Sequence, residues 1–511
     1  MTSISSNRNG IPPVLLWMAI VLGVGISVGL LVGGMANPFL LFAGIAGLVV
    51  VFLVFQNVEW GLLGLVFIGY TMISEVLVDS HGLPSISKFI VLLLLLVLTA
   101  RWLLRGEPPA GAGFALIMML AYGVFTSLSL FYAVDLDRTT QGITDFIKNA
   151  AIVVIITLIL KRGDMLRHVT YSILAGATFL GTISTFQYLT GTFDNNYWGF
   201  GMAQIQDIVG TLNSYRIGGP IGDPNFYGQL LLFAVPLAVE RLQNEQSTLW
   251  RMMAAYALTV TLLSIAFTFS RGTFLGAGII LLLMLIRNPP RPAILVSVTA
   301  LGIAALLLLM PEYLARMYTL IGTILHISND VTSIQDTAIE GRLGEMRVAL
   351  AVFTDHPLLG VGLGNYEHYF QQYSLMLDLP QRGADRAAHS IYMELAAERG
   401  LVGLTAYFVL IWYTVRTILR SIRVLRAAGS GLVADQAAAY GFALLGYLVT
   451  ATFLHDRSRF FWVLLGICLS FPSIAAREAR RVSGPLPEEI DENGHYRSGL
   501  IPAEQSTGNS L

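Results

Sequence analysis

Apolar windows long enough to cross a bilayer follow one another almost without a break from residue 14 to residue 310, and they resume at residue 397. Crossing the hydrocarbon layer takes about 17 to 25 residues of helix. Inside lipid, only helices and closed barrels satisfy every backbone polar group. Fourteen windows meet or approach that length: 14 to 34, 38 to 56, 60 to 78, 88 to 104, 113 to 132, 143 to 160, 168 to 190, 224 to 241, 250 to 269, 272 to 286, 293 to 310, 397 to 416, 436 to 454 and 459 to 474. The two shortest, 272 to 286 and 459 to 474, set the expected number at 12 to 14. Charged residues make up 12% of the chain and hydrophobic ones 55%, against about 25% charged in soluble domains. The fold expected is therefore an all-α polytopic membrane protein with about 12-14 transmembrane helices.

The net charge of −1 identifies no partner, because in a membrane protein the placement of Lys and Arg matters and their sum does not. That placement is regular. With Arg8 and the N-terminus in the cytoplasm, alternate connections carry Arg101 and Arg105, then Lys161, Arg162 and Arg167, then Arg241 and Arg251, then Arg287 and Arg291, then Arg416, Arg420, Arg423 and Arg426. Arg477, Arg480 and Arg481 follow on the same side, so the positive-inside rule places all of them in the cytoplasm. The first apolar run has no convincing cleavage pattern and a second begins at Pro38, so the first reads as a retained signal anchor. Cys468 is the single cysteine, which excludes an intrachain disulfide.

This orientation divides the chain into a cytoplasmic N-terminus (1-13), transmembrane helices (14-310) with a small outer loop (190-223), a large extracytoplasmic loop (311-396), C-terminal transmembrane helices (397-474) and a disordered cytoplasmic tail (475-511). The tail has Pro485, Pro487 and Glu488-Glu489 and no apolar period. No internal repeat is visible, which weighs against a transporter or polysaccharide-lipid flippase, since many transporters are built from repeated halves.

The large loop concentrates the polar chemistry, and function gathers on loops carried by a rigid scaffold. Leu343, Met346, Leu350 and Phe353 share one helical face, and Tyr366, Tyr369, Phe370, Tyr373 and Leu377 share another. Two amphipathic helices are predicted, lying along the membrane surface as a partial cover. Asp355-His356-Pro357 ends the first, and Gly360, Gly362 and Gly364 turn the chain. These glycines follow no strand of a βαβ unit, so they do not form a nucleotide loop.

Three residues stand out as candidates. Arg216 lies in a Gly/Pro-rich stretch on the outer side, where basic residues are sparse; the plain alternative is an interfacial arginine that snorkels. Arg271, in the tight turn Ser270-Arg271-Gly272, sits near headgroup level. Two outward guanidiniums suit a lipid-linked diphosphate, because each offers a planar fork to phosphate oxygens. His389 stands where the large loop returns to the bilayer, and an unperturbed imidazole accepts a proton near neutral pH, as a general base must. Asp223-Pro224 reads as a helix cap with proline at the first position. Asp135 and Asp137 are the obvious outer carboxylate pair for a divalent ion, although Arg138 beside them favours a solvated polar turn.

Arg216 in its Gly/Pro setting, Ser270-Arg271-Gly272, the run from Gly341-Arg342 through His356-Pro357-Leu358-Leu359-Gly360-Val361-Gly362-Leu363-Gly364-Asn365-Tyr366, and His389-Ser390-Ile391-Tyr392 with Glu398 and Gly400 together resemble the bacterial O-antigen ligase and O-antigen polymerase superfamily. The resemblance spans Arg216 to Tyr407 in motif and the whole chain in topology, with up to two spans more than the best-known ligases. It implies a GT-C-type architecture and an inverting, metal-independent glycosyltransferase that needs no cofactor. The donor it implies is an undecaprenyl-diphosphate-linked glycan at the outer face of the cytoplasmic membrane, the acceptor a glycan, lipid or protein hydroxyl, and no nucleic acid takes part. By resemblance, Arg216 and Arg271 bind the diphosphate and His389 is catalytic. Ligase, polymerase and protein O-glycan ligase are not separated by these residues.

Overall fold

The computed structural model describes residue 47 and residues 51–106, 113–209, 212–287, 337–379, 386–455 and 459–483. The windows 14 to 34 and 293 to 310, most of 38 to 56, residues 311–336 of the large loop and residues 484–511 lie outside them. Among the described residues, the helices are α1 (Val58–Thr71), α2 (Ile73–His81), α3 (Ile86–Arg105), α4 (Gly113–Ser127), α5 (Leu136–Ile159), α6 (Gly163–Thr190), α7 (Pro224–Leu232), α8 (Ala234–Asn244), α9 (Thr248–Phe267), α10 (Arg271–Arg287), α11 (Thr337–Asp355), α12 (Tyr366–Met376), α13 (Ile391–Ala427), α14 (Gly431–Thr450) and α15 (Phe460–Ser483). Seven are long and apolar enough to cross a membrane, or eight if the pair α1 and α2, bent by 56°, makes one span. The chain is a mostly helical, multi-pass membrane protein.

α15 is the central helix. Phe461, Leu465, Cys468 and Phe471 on it are fully or almost fully buried, and it packs against α5, α13 and α14. α3 and α4 lie at the periphery, where Leu92, Leu96, Ile117, Leu120 and Val124 are each more than half exposed. Apolar side chains left open on outer helices are what a lipid solvent permits.

Three boundaries differ from those read off the sequence. The window 224 to 241 is two helices, broken at Phe233. Pro236 explains the break, since it has no N–H and its ring would clash with the carbonyl of Leu232 one turn back. α15 runs to Ser483, so residues 475–483 continue the helix where a disordered tail was expected, and Ile474 and Ala475 are its last buried residues among those described. The loop of residues 190–223 holds a β-hairpin, β1 (Met202–Val209) with β2 (Leu212–Gly219), in which Gln204 stands opposite Arg216.

The basic connections gather at one end of the bundle, where Arg162 pairs with Glu59, Arg167 with Glu245, and Arg287 and Arg426 both with Asp435. The hairpin, the start of α10, the α11–α12 unit and the start of α13 gather at the other.

Two helices do form in the large loop, but α11 buries a different face from the one expected. Gly341, Glu345, Val348, Ala349 and Val352 turn inward, while Leu343 and Leu350 are each 50% exposed. Small and β-branched residues let α11 approach α12 and α13 closely, and a core of its own forms there from Val348, Val352, Tyr366, Phe370 and Ala388.

α13 is interrupted at Gly400 (φ 60°, ψ −162°), a conformation open essentially to glycine alone. The Gly360-to-Gly364 loop fills the interruption. Val361 and Gly362 donate to the carbonyls of Ala397 and Glu398 at 2.9 and 2.8 Å, and Leu401 and Val402 donate to those of Pro357 and Leu358 at 2.8 and 3.2 Å. Backbone groups that the broken helix leaves open are thus paired by the loop. A Cβ on Gly400 would come within 2.3 Å of the Leu358 carbonyl oxygen, and one on Gly360 within 2.3 Å of the Glu398 carbonyl carbon.

Candidate active site at the mouth of the bundle

Arg216 reaches its place through the hairpin. β2 carries it inward, leaving it only 5% exposed. Its Nε donates to the Thr268 carbonyl at 2.8 Å and its Nη2 to Asn225 Oδ1 at 3.1 Å. This burial is the opposite of snorkelling. Thr268 caps the C-terminus of α9, where a cation is favoured by the helix dipole. Asn225 is fixed in turn, because Asp223 caps α7 by accepting from the backbone N–H of Asn225 and Phe226 at 2.7 and 3.1 Å. The expected cap is present.

Arg271 is the first residue of α10, three residues beyond Thr268. The turn between them contains buried Phe269 at φ 50° and is tied by Ser270 N–H to Thr268 Oγ1 at 3.2 Å and Thr273 Oγ1 to Ser270 Oγ at 3.1 Å. Arg216 and Arg271 are therefore attached to one turn. A cation at a helix N-terminus is disfavoured by the dipole, and an anion beside it would reverse that term. Arg342, at the inner side of α11, borders a cleft of about 10 Å³ with Asn225, Ser270 and Gly272, room for about one water.

His389 is held from several directions. Its φ is 47°, uncommon for a residue with a side chain. The next residues are pinned to α14, with Ile391 N–H donating to the Ala451 carbonyl at 3.0 Å and Tyr392 Oη to the Leu448 carbonyl at 2.7 Å. The ring's Nδ1 lies 2.9 Å from Glu345 Oε2 and 3.1 Å from the Ala387 carbonyl oxygen. Both neighbours accept only, a carboxylate and a carbonyl, so Nδ1 carries the proton and Nε2 of the neutral ring keeps its lone pair. The tautomer follows from these oxygens.

Glu345 is 2% exposed and also accepts from Arg386 Nη1 at 2.6 Å. Burial pushes its carboxyl up, but the hydrogen bonds and charges of His389 and Arg386 outweigh this and hold it below the usual range. Across from this group, His455 presents its ring edge-on to His389, with centroids 5.3 Å apart, and packs on Phe226 at 4.8 Å. Phe226 follows Asn225, so the arginine turn and the histidine are joined through Asn225, Phe226 and His455.

Asp135 is a structural residue. It caps α5 by accepting from Arg138 N–H at 3.0 Å, and it pairs with the Arg138 guanidinium at 3.3 Å. Asn365 ties the same turn to the glycine loop, accepting from Asp135 N–H at 2.7 Å and donating to Thr139 Oγ1 at 2.9 Å. Asp137 is exposed in the first turn of α5.

Glu345, Arg386, Asn225 and His455 were not singled out by the sequence. A signal for Glu345 exists, because it continues the inward stripe Val348, Ala349, Val352 at helical spacing. Residues 256–408 match a family model described as O-antigen ligase. The match contains Arg271, Arg342, Glu345, Arg386 and His389 and leaves out Arg216, Asn225 and His455. No curated protein matches the chain. Over residues 256–408 the chain is thus similar to the O-antigen ligase family, and the likeness supports a ligase or polymerase type of function in general.

Proposed function

We propose that the protein transfers a glycan from an undecaprenyl-diphosphate-linked donor to an acceptor hydroxyl, at the outer face of the cytoplasmic membrane, with inversion and without a metal ion. The reading rests above all on His389, whose Nδ1 is committed to Glu345 and the Ala387 carbonyl, so that Nε2 is the basic nitrogen. Nε2 takes the proton of the acceptor hydroxyl while its oxygen attacks the anomeric carbon. The bond from that carbon to the phosphate oxygen breaks, and the electron pair leaves with the diphosphate. One displacement inverts the centre.

Charge grows on the leaving diphosphate in the transition state, so cations fixed beside it act most strongly there. Arg216 and Arg271, anchored to one turn, are assigned to it, with Arg342 near them across the cleft. The developing imidazolium is balanced by the Glu345 carboxylate.

The test is His389→Ala in purified protein supplied with lipid-diphosphate-linked glycan and acceptor. Transfer should fall about 10²-fold or more, with membrane insertion and elution on size exclusion unchanged. Transfer near the wild-type rate would remove the base and the proposal with it.

A further inference from the structure

We propose, resting on the reading above, that a second cavity next to His389 binds the saccharide of the acceptor. It has a volume of about 430 Å³ between α1, α2, α3, α5, α7 and α15, within the ~300–1,000 Å³ usual for small-molecule sites. One wall is His455, whose ring meets His389. Another is Asp223, the cap of the helix that carries Asn225.

The lining decides the ligand class. Among the described residues it carries four carboxylates, of Glu75, Asp79, Asp145 and Asp223, against three permanent cations. Two of those cations are already matched, Lys148 to Asp145 at 2.8 Å and Arg459 to Glu75 at 2.8 Å. A phosphate in such a place would meet at least as much negative as positive charge. A neutral, hydroxyl-rich ligand would find acceptors and donors side by side, including Asn149 and the hydroxyl cluster in which Ser87 donates to Ser74 at 2.8 Å and Ser74 bonds Ser85 at 2.9 Å. The apolar remainder, with Leu65, Val91 and Phe460, suits the C–H faces of sugar rings. Its lining includes His455, whose ring lies against that of the base, and among the described residues none of Arg216, Thr268, Ser270 or Arg271. It is therefore the acceptor's sugar that it holds, with the hydroxyl to be glycosylated directed at His389 Nε2.

Two measurements test this. Asp145→Asn and Asn149→Ala should each raise the acceptor KM about tenfold, with kcat and donor KM within about twofold of wild type. Unchanged acceptor KM in both, or a shift in donor KM instead, would overturn the proposal. The second does not need turnover. Cys468 is the single cysteine and is buried, so in a Lys148→Cys, His389→Ala protein a maleimide reads the cavity mouth alone. Envelope glycolipid extracted from cells lacking the protein, which retains unglycosylated acceptor, should slow labelling; undecaprenyl-diphosphate-linked glycan should not. Labelling unaffected by the extract, or slowed by the donor only, would refute the acceptor site. Failure of glycan transfer by the wild type, by contrast, would strike the proposed function and is read separately.

Discussion

Replacing Glu345 by Gln removes one charge and almost no volume, which makes it the sharpest probe of the histidine site. In the wild type, the carboxylate is 2% exposed and accepts from His389 Nδ1 at 2.9 Å and from Arg386 Nη1 at 2.6 Å. An amide oxygen can still accept one neutral hydrogen bond, so the ring stays in place and the Nδ1–H tautomer survives. What is lost is the charged partner of the imidazolium that forms as the acceptor proton arrives. A hydrogen bond to a charged group contributes about 1.5–3 kcal/mol, and each ~1.4 kcal/mol is tenfold in rate, so kcat should fall about 10- to 150-fold. Donor KM should move little, because the Glu345 carboxylate is committed to His389 and Arg386. Glu345→Asp, which keeps the charge at shorter reach, should recover part of the loss. The same variant has a thermal signature. A carboxyl held below its usual range contributes stability that is full above the ordinary value of about 4.3 and is lost as pH falls through the depressed value. The melting temperature of the detergent-solubilised wild type should therefore drop on acidification below about pH 4, and Glu345→Gln should flatten that dependence. A wild-type kcat in Glu345→Gln, or a loss expressed only in donor KM, would refute the assignment.

Arg271→Lys should be nearly as damaging to transfer as Arg271→Ala, since an ammonium keeps the charge but not the planar fork; a fully active lysine variant would reduce Arg271 to membrane placement. Transfer by purified protein should persist in excess EDTA. Asp135→Asn with Asp137→Asn should be close to neutral, because asparagine retains the oxygen that caps Arg138 N–H; activity restored only by added magnesium or manganese would reverse both statements. Gly400→Ala forces a side chain into a backbone region worth about 1–3 kcal/mol of strain and against the Leu358 carbonyl, so thermal stability should fall; an alanine protein that melts like the wild type would mean the interruption of α13 is dispensable.

What the sequence made legible was whatever depends on short range. Helical windows, the Asp223 cap and the two loop helices all rest on spacings of a few residues, and among the described residues the apolar windows are helical, one of them broken at Phe233, and the cap and both loop helices are present. The hairpin that buries Arg216 was also written locally, in the alternation around Ile205 and Tyr215, but a Gly/Pro-rich stretch between two spans reads first as a loop. The face of α11 was misread for a different reason. Leucine at 343 and 350 outweighs Gly341, Val348 and Ala349 on any hydrophobic count, yet close approach of helices selects small residues, and in this fold the small face went inward.

Glu345 and His389 are 44 residues apart, and no local pattern pairs them. They meet because of the device that the two longest motifs build together. The loop Pro357-to-Gly364 occupies the gap in α13 and supplies the hydrogen bonds that the helix lacks there. That frees the segment Ile391–Arg399 to run at its own angle to the span beyond Gly400. His389 is mounted at the head of this short segment, with Ala388 in the core of α11 and α12 on one side and Ile391 bonded to α14 on the other. The glycines that resemble a nucleotide loop are thus explained by backbone packing. Their spacing matches the gap in the helix, and through it they set where the imidazole stands.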